Sequence, residues 1–217
     1  MSAHDLNLSL ASVTAAAGAV AATAAEAADT SGIEELLANV RSSDVNVRGA
    51  AWAGAAKFGP AALKPLAKVA AEGDLEVRRA ATRAMWTIVR HVGRPGADQE
   101  KTPAAVALVE LLADDQPTSV RRDVLWMVSE IGGDDSVPAT ARLLAHAELR
   151  EDARMVLQRI PGDKSLAALQ AGLAEVPEEA RPAVAQSLRA RGVAVDAYPS
   201  AKLTPSRQTQ REDMGGL

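Results

Sequence analysis

Asp74-Leu75-Glu76-Val77-Arg78-Arg79-Ala80-Ala81 has the pattern of the opening two turns of a helix. Asp74 is placed to accept from the backbone N–H groups that a helix start leaves free, and Glu76 sits at the positive end of the helix dipole. Val77, Ala81 and Met85 then fall on one apolar face. The same pattern occurs earlier as Asp44-Val45-Asn46-Val47-Arg48-Gly49-Ala50-Ala51. It returns later, increasingly degenerate, as Ser119-Val120-Arg121-Arg122-Asp123-Val124, Glu148-Leu149-Arg150-Glu151-Asp152-Ala153 and Glu179-Ala180-Arg181-Pro182-Ala183-Val184. The chain is therefore built from a repeated helical unit.

The spacing supports this. Arg48 to Arg78 is 30 residues, Arg121 to Arg150 is 29 and Arg150 to Arg181 is 31, the period of a two-helix unit. Arg78 to Arg121 is 43 residues, and the excess coincides with Gly93-Arg94-Pro95-Gly96-Ala97-Asp98-Gln99-Glu100-Lys101-Thr102-Pro103, which is expected to be a loop insertion. Between the repeat helices lie shorter apolar segments. Leu63, Leu66 and Val69 mark the partner helix of the first unit, and Val106, Leu108, Val109, Leu111 and Leu112 that of the second. A helix over Ile33 to Val40 precedes the first copy, with Ile33, Leu36, Leu37 and Val40 on one face.

Composition fits an all-α chain. Apolar residues make up 47% of the 217, yet aromatics only 2%, so the core must come from closely packed helices with small side chains. At about 100° per residue, the positions one before, three after and seven after each repeat arginine share one side. These are Val47, Ala51, Ala55; Val77, Ala81, Met85; Val120, Val124, Val128; Leu149, Ala153, Leu157; and Ala180, Val184, Leu188, the expected core. The opposite side carries Arg79, Arg83, Trp86 and Arg90 in the second copy and Arg122 and Trp126 in the third. Trp52 lies at the boundary and is expected to pack.

Asp-x-x-Val-Arg followed by an Ala-rich helix, a Gly-containing turn and a Val-Pro helix resembles the short bacterial HEAT repeats, including those named after phycobilisome lyases. The inter-helix turns Gly59-Pro60-Ala61-Ala62-Leu63-Lys64-Pro65-Leu66 and Ser129-Glu130-Ile131-Gly132-Gly133-Asp134-Asp135-Ser136-Val137-Pro138 carry the likeness. It implies a right-handed α-solenoid of about five HEAT-like helix pairs over residues 33–192. An Ala-rich arm or capping helix would occupy 1–32, and a flexible polar tail 193–217, where periodicity stops. The resemblance also implies that, with the repeat helices on the inside, Arg79, Arg83, Trp86, Arg90, Arg122 and Trp126 line one groove on the concave face, where a partner would bind. Such a patch suits an acidic peptide or protein surface, with arginine giving bidentate contacts and tryptophan an apolar platform. Asp44, Arg48, Asp74, Arg78, Arg121 and Arg150 are expected to form a structural ladder joining caps and carboxylates between units.

The expected function is a non-enzymatic interaction scaffold or regulatory subunit. Nucleic-acid binding, in the manner of the HEAT-like alkylpurine DNA glycosylases, is the alternative, and a bilin lyase or chaperone the second. A net charge of −4 disfavours a surface wholly devoted to polyanions. His4, His91 and His146 are scattered, so neither a zinc site nor the diiron site of HEAT-repeat deoxyhypusine hydroxylases can be placed, and no cofactor or metal is expected. No cysteine is present to act as nucleophile or ligand. Asp114-Asp115 and Asp134-Asp135 sit where caps and turns use aspartate. Leu8 to Ala25 is weakly apolar, but His4 and Asp5 stand where a leader needs lysine or arginine. A cytoplasmic protein without a membrane span is expected, with export as the alternative if residues 1–27 act as a signal peptide.

Overall fold

A computed structural model describes residues 30–200. Among these residues the chain is all-helical, with no strand. α1 occupies 30–40. Then follow α2 (Val45–Ala53), α3 (Leu63–Glu72), α4 (Leu75–Val92), α5 (Asp98–Glu110), α6 (Thr118–Ile131), α7 (Val137–Arg142), α8 (Arg150–Arg159), α9 (Asp163–Glu175) and α10 (Arg181–Ala190). The arm assigned to 1–32 falls, except for its last three residues, outside the described residues, as does the tail from 201 onward.

The first two repeat helices start as their sequences dictate, whereas α6, α8 and α10 have no side-chain cap. Asp44 accepts from the Asn46 amide at 2.7 Å, and Asp74 from the amides of Glu76 and Val77, both at 3.0 Å. Each cap satisfies donors that the first helical turn leaves unpaired. α2 packs on α4, α4 on α6, α6 on α8 and α8 on α10. On the other side α3 contacts α5 and α7 contacts α9, so neighbours in space are neighbours in chain order.

The expected core face is the observed one from the second unit onward. Ala81, Met85, Val120, Val124, Val128, Leu149, Ala153, Leu157, Ala180, Val184 and Leu188 are all buried. The first unit differs: Ala55 is buried, but Ala51 is half-buried and Val47 is 38% exposed. Val77 is also half-buried. Burial extends beyond the expected stripe to Ala84, Ile88, Leu125, Met127 and Val156, because α4 is covered by α3 and α5, α6 by α5, and α8 by α7 and α9, in addition to neighbouring repeat helices. Buried alanines, Ala62, Ala67, Ala81 and Ala84 among them, allow the close helix approach that the composition requires.

Two segments depart from expectation. The loop insertion at 93–103 is mostly helix, since α5 begins at Asp98. Arg94 folds over the turn, bonding both Glu100 oxygens at 3.0 and 2.6 Å and the His91 carbonyl at 2.6 Å. That hydrogen bond holds the Glu100 carboxyl below its ordinary range, and Asp98 and Glu100 together complement the helix start. Residues 193–198, assigned to the tail, turn back along α10 instead. The Val193 amide bonds the Leu188 carbonyl at 3.0 Å, and Arg189 bonds the carbonyls of Val195, at 2.7 Å, and Tyr198.

The arginine ladder works mainly across the turn that joins one unit to the next, through backbone carbonyls more often than carboxylates. Arg48 donates to the Ser42 and Ser43 carbonyls at 2.7 and 2.9 Å, Arg150 to Leu144 at 2.8 Å and Arg181 to Val176 at 3.3 Å. Arg121 bonds the Asp114 carboxylate at 2.8 Å. Each reaches five to seven residues back, over the turn leading into its own helix. Arg78 is the exception, for only Gly73 and Asp74 separate α3 from α4. It pairs forward with Asp123 at 3.9 Å.

Leu125→Ala should therefore cost about 2–5 kcal/mol in a denaturant titration, as expected for a fully buried leucine. Val47→Ala should change stability by no more than about 0.5 kcal/mol. Comparable losses for both would contradict the assigned core.

Candidate functional site

The outward face of the repeat helices is the candidate site, because it gathers the three tryptophans and most of the singled-out arginines. α4 presents Arg79, Arg83, Trp86 and Arg90, and α6 presents Arg122 and Trp126, as the helical spacing requires. The structure separates these residues into three kinds of environment.

Arg83 and Arg90 lie over indole rings. The Arg83 guanidinium is 5.6 Å from the Trp52 ring centre, across the α2–α4 boundary, and Arg90 is 5.3 Å from that of Trp86, one turn away on the same helix. Among the described residues neither arginine has a carboxylate within ion-pairing distance. Trp52 and Trp86 are half-buried against the core, so Trp52 packs as expected while its outer face serves as a platform.

Arg79 and Arg122 are already engaged. Arg79 pairs with Glu76 at 2.9 Å along its own helix. Arg122 bridges to α8, donating through Nε to Asp152 at 3.1 Å and through a terminal nitrogen to the Glu148 carbonyl at 2.7 Å. Arg122 thus clasps two units together, and of the basic patch expected from the sequence Arg79 and Arg122 are offset by carboxylates, on the same helix and on α8, while Arg83 and Arg90 are not. A second clasp, not singled out from the sequence, lies about two turns further along, where Glu130 accepts from Arg159 at 2.6 Å. Spacing of about one unit between partners was its only sequence signal.

Trp126 is the residue that stands out. It is 39% exposed, and Arg122 and Glu130 lie four residues to either side of it on the same helix face. Both are tied to α8, so a large indole is framed by two inter-helix ion pairs. One turn along α6 from it, between α4 and α6, opens a cleft of about 420 Å³ lined by Trp86, Val89, Arg90, Gly93, Glu130 and Ile131. An apolar centre with a fixed polar rim matches the anatomy of an interaction hot spot.

Beneath this face Asp123 accepts from Thr82 at 3.4 Å and faces Arg78 at 3.9 Å. Burial pushes its carboxyl above the ordinary range, and the neighbouring Arg78, Thr82 and Arg122 only partly offset this.

Other candidates resolve into structural roles. Asp114 holds Arg121, and Asp134 pairs with Lys164 at 3.3 Å. His91 faces Glu100 at 3.6 Å. Among the described residues there is no group of three or more histidine, cysteine or acidic side chains able to hold a metal ion, and no helix is long and apolar enough to cross a membrane. A separate cleft of about 460 Å³, missed in the sequence, lies between α5 and the turn before α7. Val106, Val109 and Ile131 are among its lining residues, and Asp98, Asp134 and Asp135 give it acidic groups.

Fold and face together define the class: an all-α protein with an aromatic centre set in a charged frame. No family model matches the chain, and no curated protein matches it. Among solved structures it is similar to an engineered protein, whose crystal structure aligns over 75% of this chain and 80% of that one at 21% identity and a TM-score of 0.39.

The Asp123 shift has a definite sign. A carboxyl whose folded pKa is raised binds its proton more tightly when folded, so its ionisation costs stability above that pKa. The cost fades as pH falls through it toward 3.8. Asp123→Asn should therefore be at least as heat-stable as the parent at pH 7, with the advantage shrinking in acid. A lowered midpoint at pH 7 would mean that the Arg78 pairing outweighs burial.

Proposed function

We propose that this chain is a non-enzymatic HEAT-type α-solenoid, serving as a scaffold or regulatory subunit that binds a protein partner along the face of its repeat helices. The recurrence of the Asp-x-x-Val-Arg unit and the in-order contacts of α2, α4, α6, α8 and α10 support the solenoid reading. The observation that carries the binding assignment is Trp126, exposed between the Arg122–Asp152 and Glu130–Arg159 clasps and adjoining the Trp86 cleft.

The partner's chemistry follows from the charges left over. Carboxylates at positions 76, 130 and 152 already face the arginines, which disfavours a long polyanion and with it a nucleic-acid backbone. Arg83 and Arg90 keep their cationic edges while their faces rest on indole. A protein surface with an apolar or aromatic side chain for the Trp86 cleft and a carboxylate for Arg90 is the best match.

Trp126→Ala should keep the parent's helicity and melting temperature, because the side chain is exposed. It should also weaken partner binding by about 2 kcal/mol or more, the scale of a hot-spot aromatic. Affinity capture from native extract after nuclease treatment, run with parent and variant side by side, reads this out. Equal recovery of the same stoichiometric partner by both would remove Trp126 from the interface. Recovery of nucleic acid, with proteins lost on nuclease treatment, would favour the polyanion reading.

A further inference from the structure

We propose a second binding site, distinct from the repeat-helix face, for a small organic oxyanion with an apolar body. It occupies a cleft of about 520 Å³ where the turn before α6 meets α7 and the turn before α8. Leu112, Ala139 and Leu143 supply apolar wall, and Arg121, Arg142 and His146 supply the polar atoms.

Two atoms on these residues point to a ligand. Arg121 is 4% exposed, and its Nε has no hydrogen-bond partner. The buried Nδ1 of His146 has none either. A buried guanidinium N–H without an acceptor is costly, since it has left water without compensation. Elsewhere in the ladder the same atom is satisfied: Arg150 Nε donates to the Leu144 carbonyl at 2.8 Å and Arg181 Nε to the Val176 carbonyl at 3.3 Å. At Arg121 the longer approach turn supplies the Asp114 carboxylate to a terminal nitrogen instead, at 2.8 Å. That bond fixes the guanidinium and leaves the buried Nε without an acceptor in the chain, at the wall of the cleft.

The charge is consistent with an anion. Asp114 offsets Arg121, and Arg142, which makes no ion pair among the described residues, adds a further positive group. A carboxylate or phosphate oxygen at Arg121 Nε would take the place that a helix-end carbonyl fills in two other units. Its neighbouring oxygens would face Arg142 and the imidazole, which donates from Nδ1 in the matching tautomer. The apolar walls then select a ligand with a hydrocarbon portion over a bare inorganic ion.

Titration of the full chain with phenyl phosphate and with benzoate tests this, followed by NMR of the arginine Nε–H and histidine ring resonances. Benzyl alcohol serves as the uncharged control. The expected result is a saturating shift of the Arg121 Nε–H and His146 signals with at least one anion, at a dissociation constant of about 1 mM or tighter, and none with the alcohol. Arg142→Gln and His146→Ala, both at positions not fully buried, should each weaken binding about tenfold while keeping the parent's circular dichroism. Trp126→Ala should leave the titration unchanged, which separates this site from the repeat-helix face. Absence of a saturating shift with either anion, equal response to the alcohol, or saturation unaltered in both polar-site variants would overturn the assignment. If the two anions differ, the responding one identifies the headgroup as phosphate or carboxylate.

Discussion

Much of the structure depends on a guanidinium folded back over the turn that precedes its own helix. A chain of short helices joined by short turns leaves helix-end carbonyls unpaired at every junction. Arg48, Arg150 and Arg181 each donate to such a carbonyl from the first turns of the following helix, fixing the angle at which that helix departs. Because the donor belongs to the incoming helix and the acceptor to the outgoing segment, one side chain joins two elements. At the carboxyl end Arg191 does the same across a larger gap, donating to the Leu157, Ile160 and Gly162 carbonyls at 3.1, 2.8 and 2.9 Å.

Variation in this device accounts for the local differences between units. Where the linker shrinks to Gly73 and Asp74, Arg78 points forward to Asp123 and becomes a link between repeat helices. Where it lengthens through Asp114 to Pro117, a side-chain carboxylate replaces the carbonyl and one guanidinium nitrogen is left unpaired. The same residue type at the same repeat position thus serves as cap, clasp or ligand donor, according to the length of the preceding turn.

On the outward face, the fixed frame matters more than the net charge. Arg122 and Glu130 are each held by α8, so the surroundings of Trp126 are ordered before anything binds. Preordering of a rim lowers the entropy lost on association, and it leaves the indole as the place where apolar area can be gained. Arg83 and Arg90, stacked on Trp52 and Trp86, extend that face with cations whose positions are likewise set by packing.

The sequence by itself determined the repeat helices, the caps of the first two and the core stripe, because these depend on residues three and four apart, for which helical geometry permits one arrangement. Asp44, Asp74 and the buried run from Ala81 to Leu188 were legible for that reason. It also placed Trp86, Trp126 and their neighbouring arginines on one side of their helices. Tertiary structure alone decided which charges are spent. Arg122 meets Asp152 and Arg159 meets Glu130 across about thirty residues, and no local period encodes such partners. It likewise decided that Arg121 Nε is left without an acceptor. These outcomes depend on distances between elements, which follow from how the helices pack and not from the order of residues within any one of them.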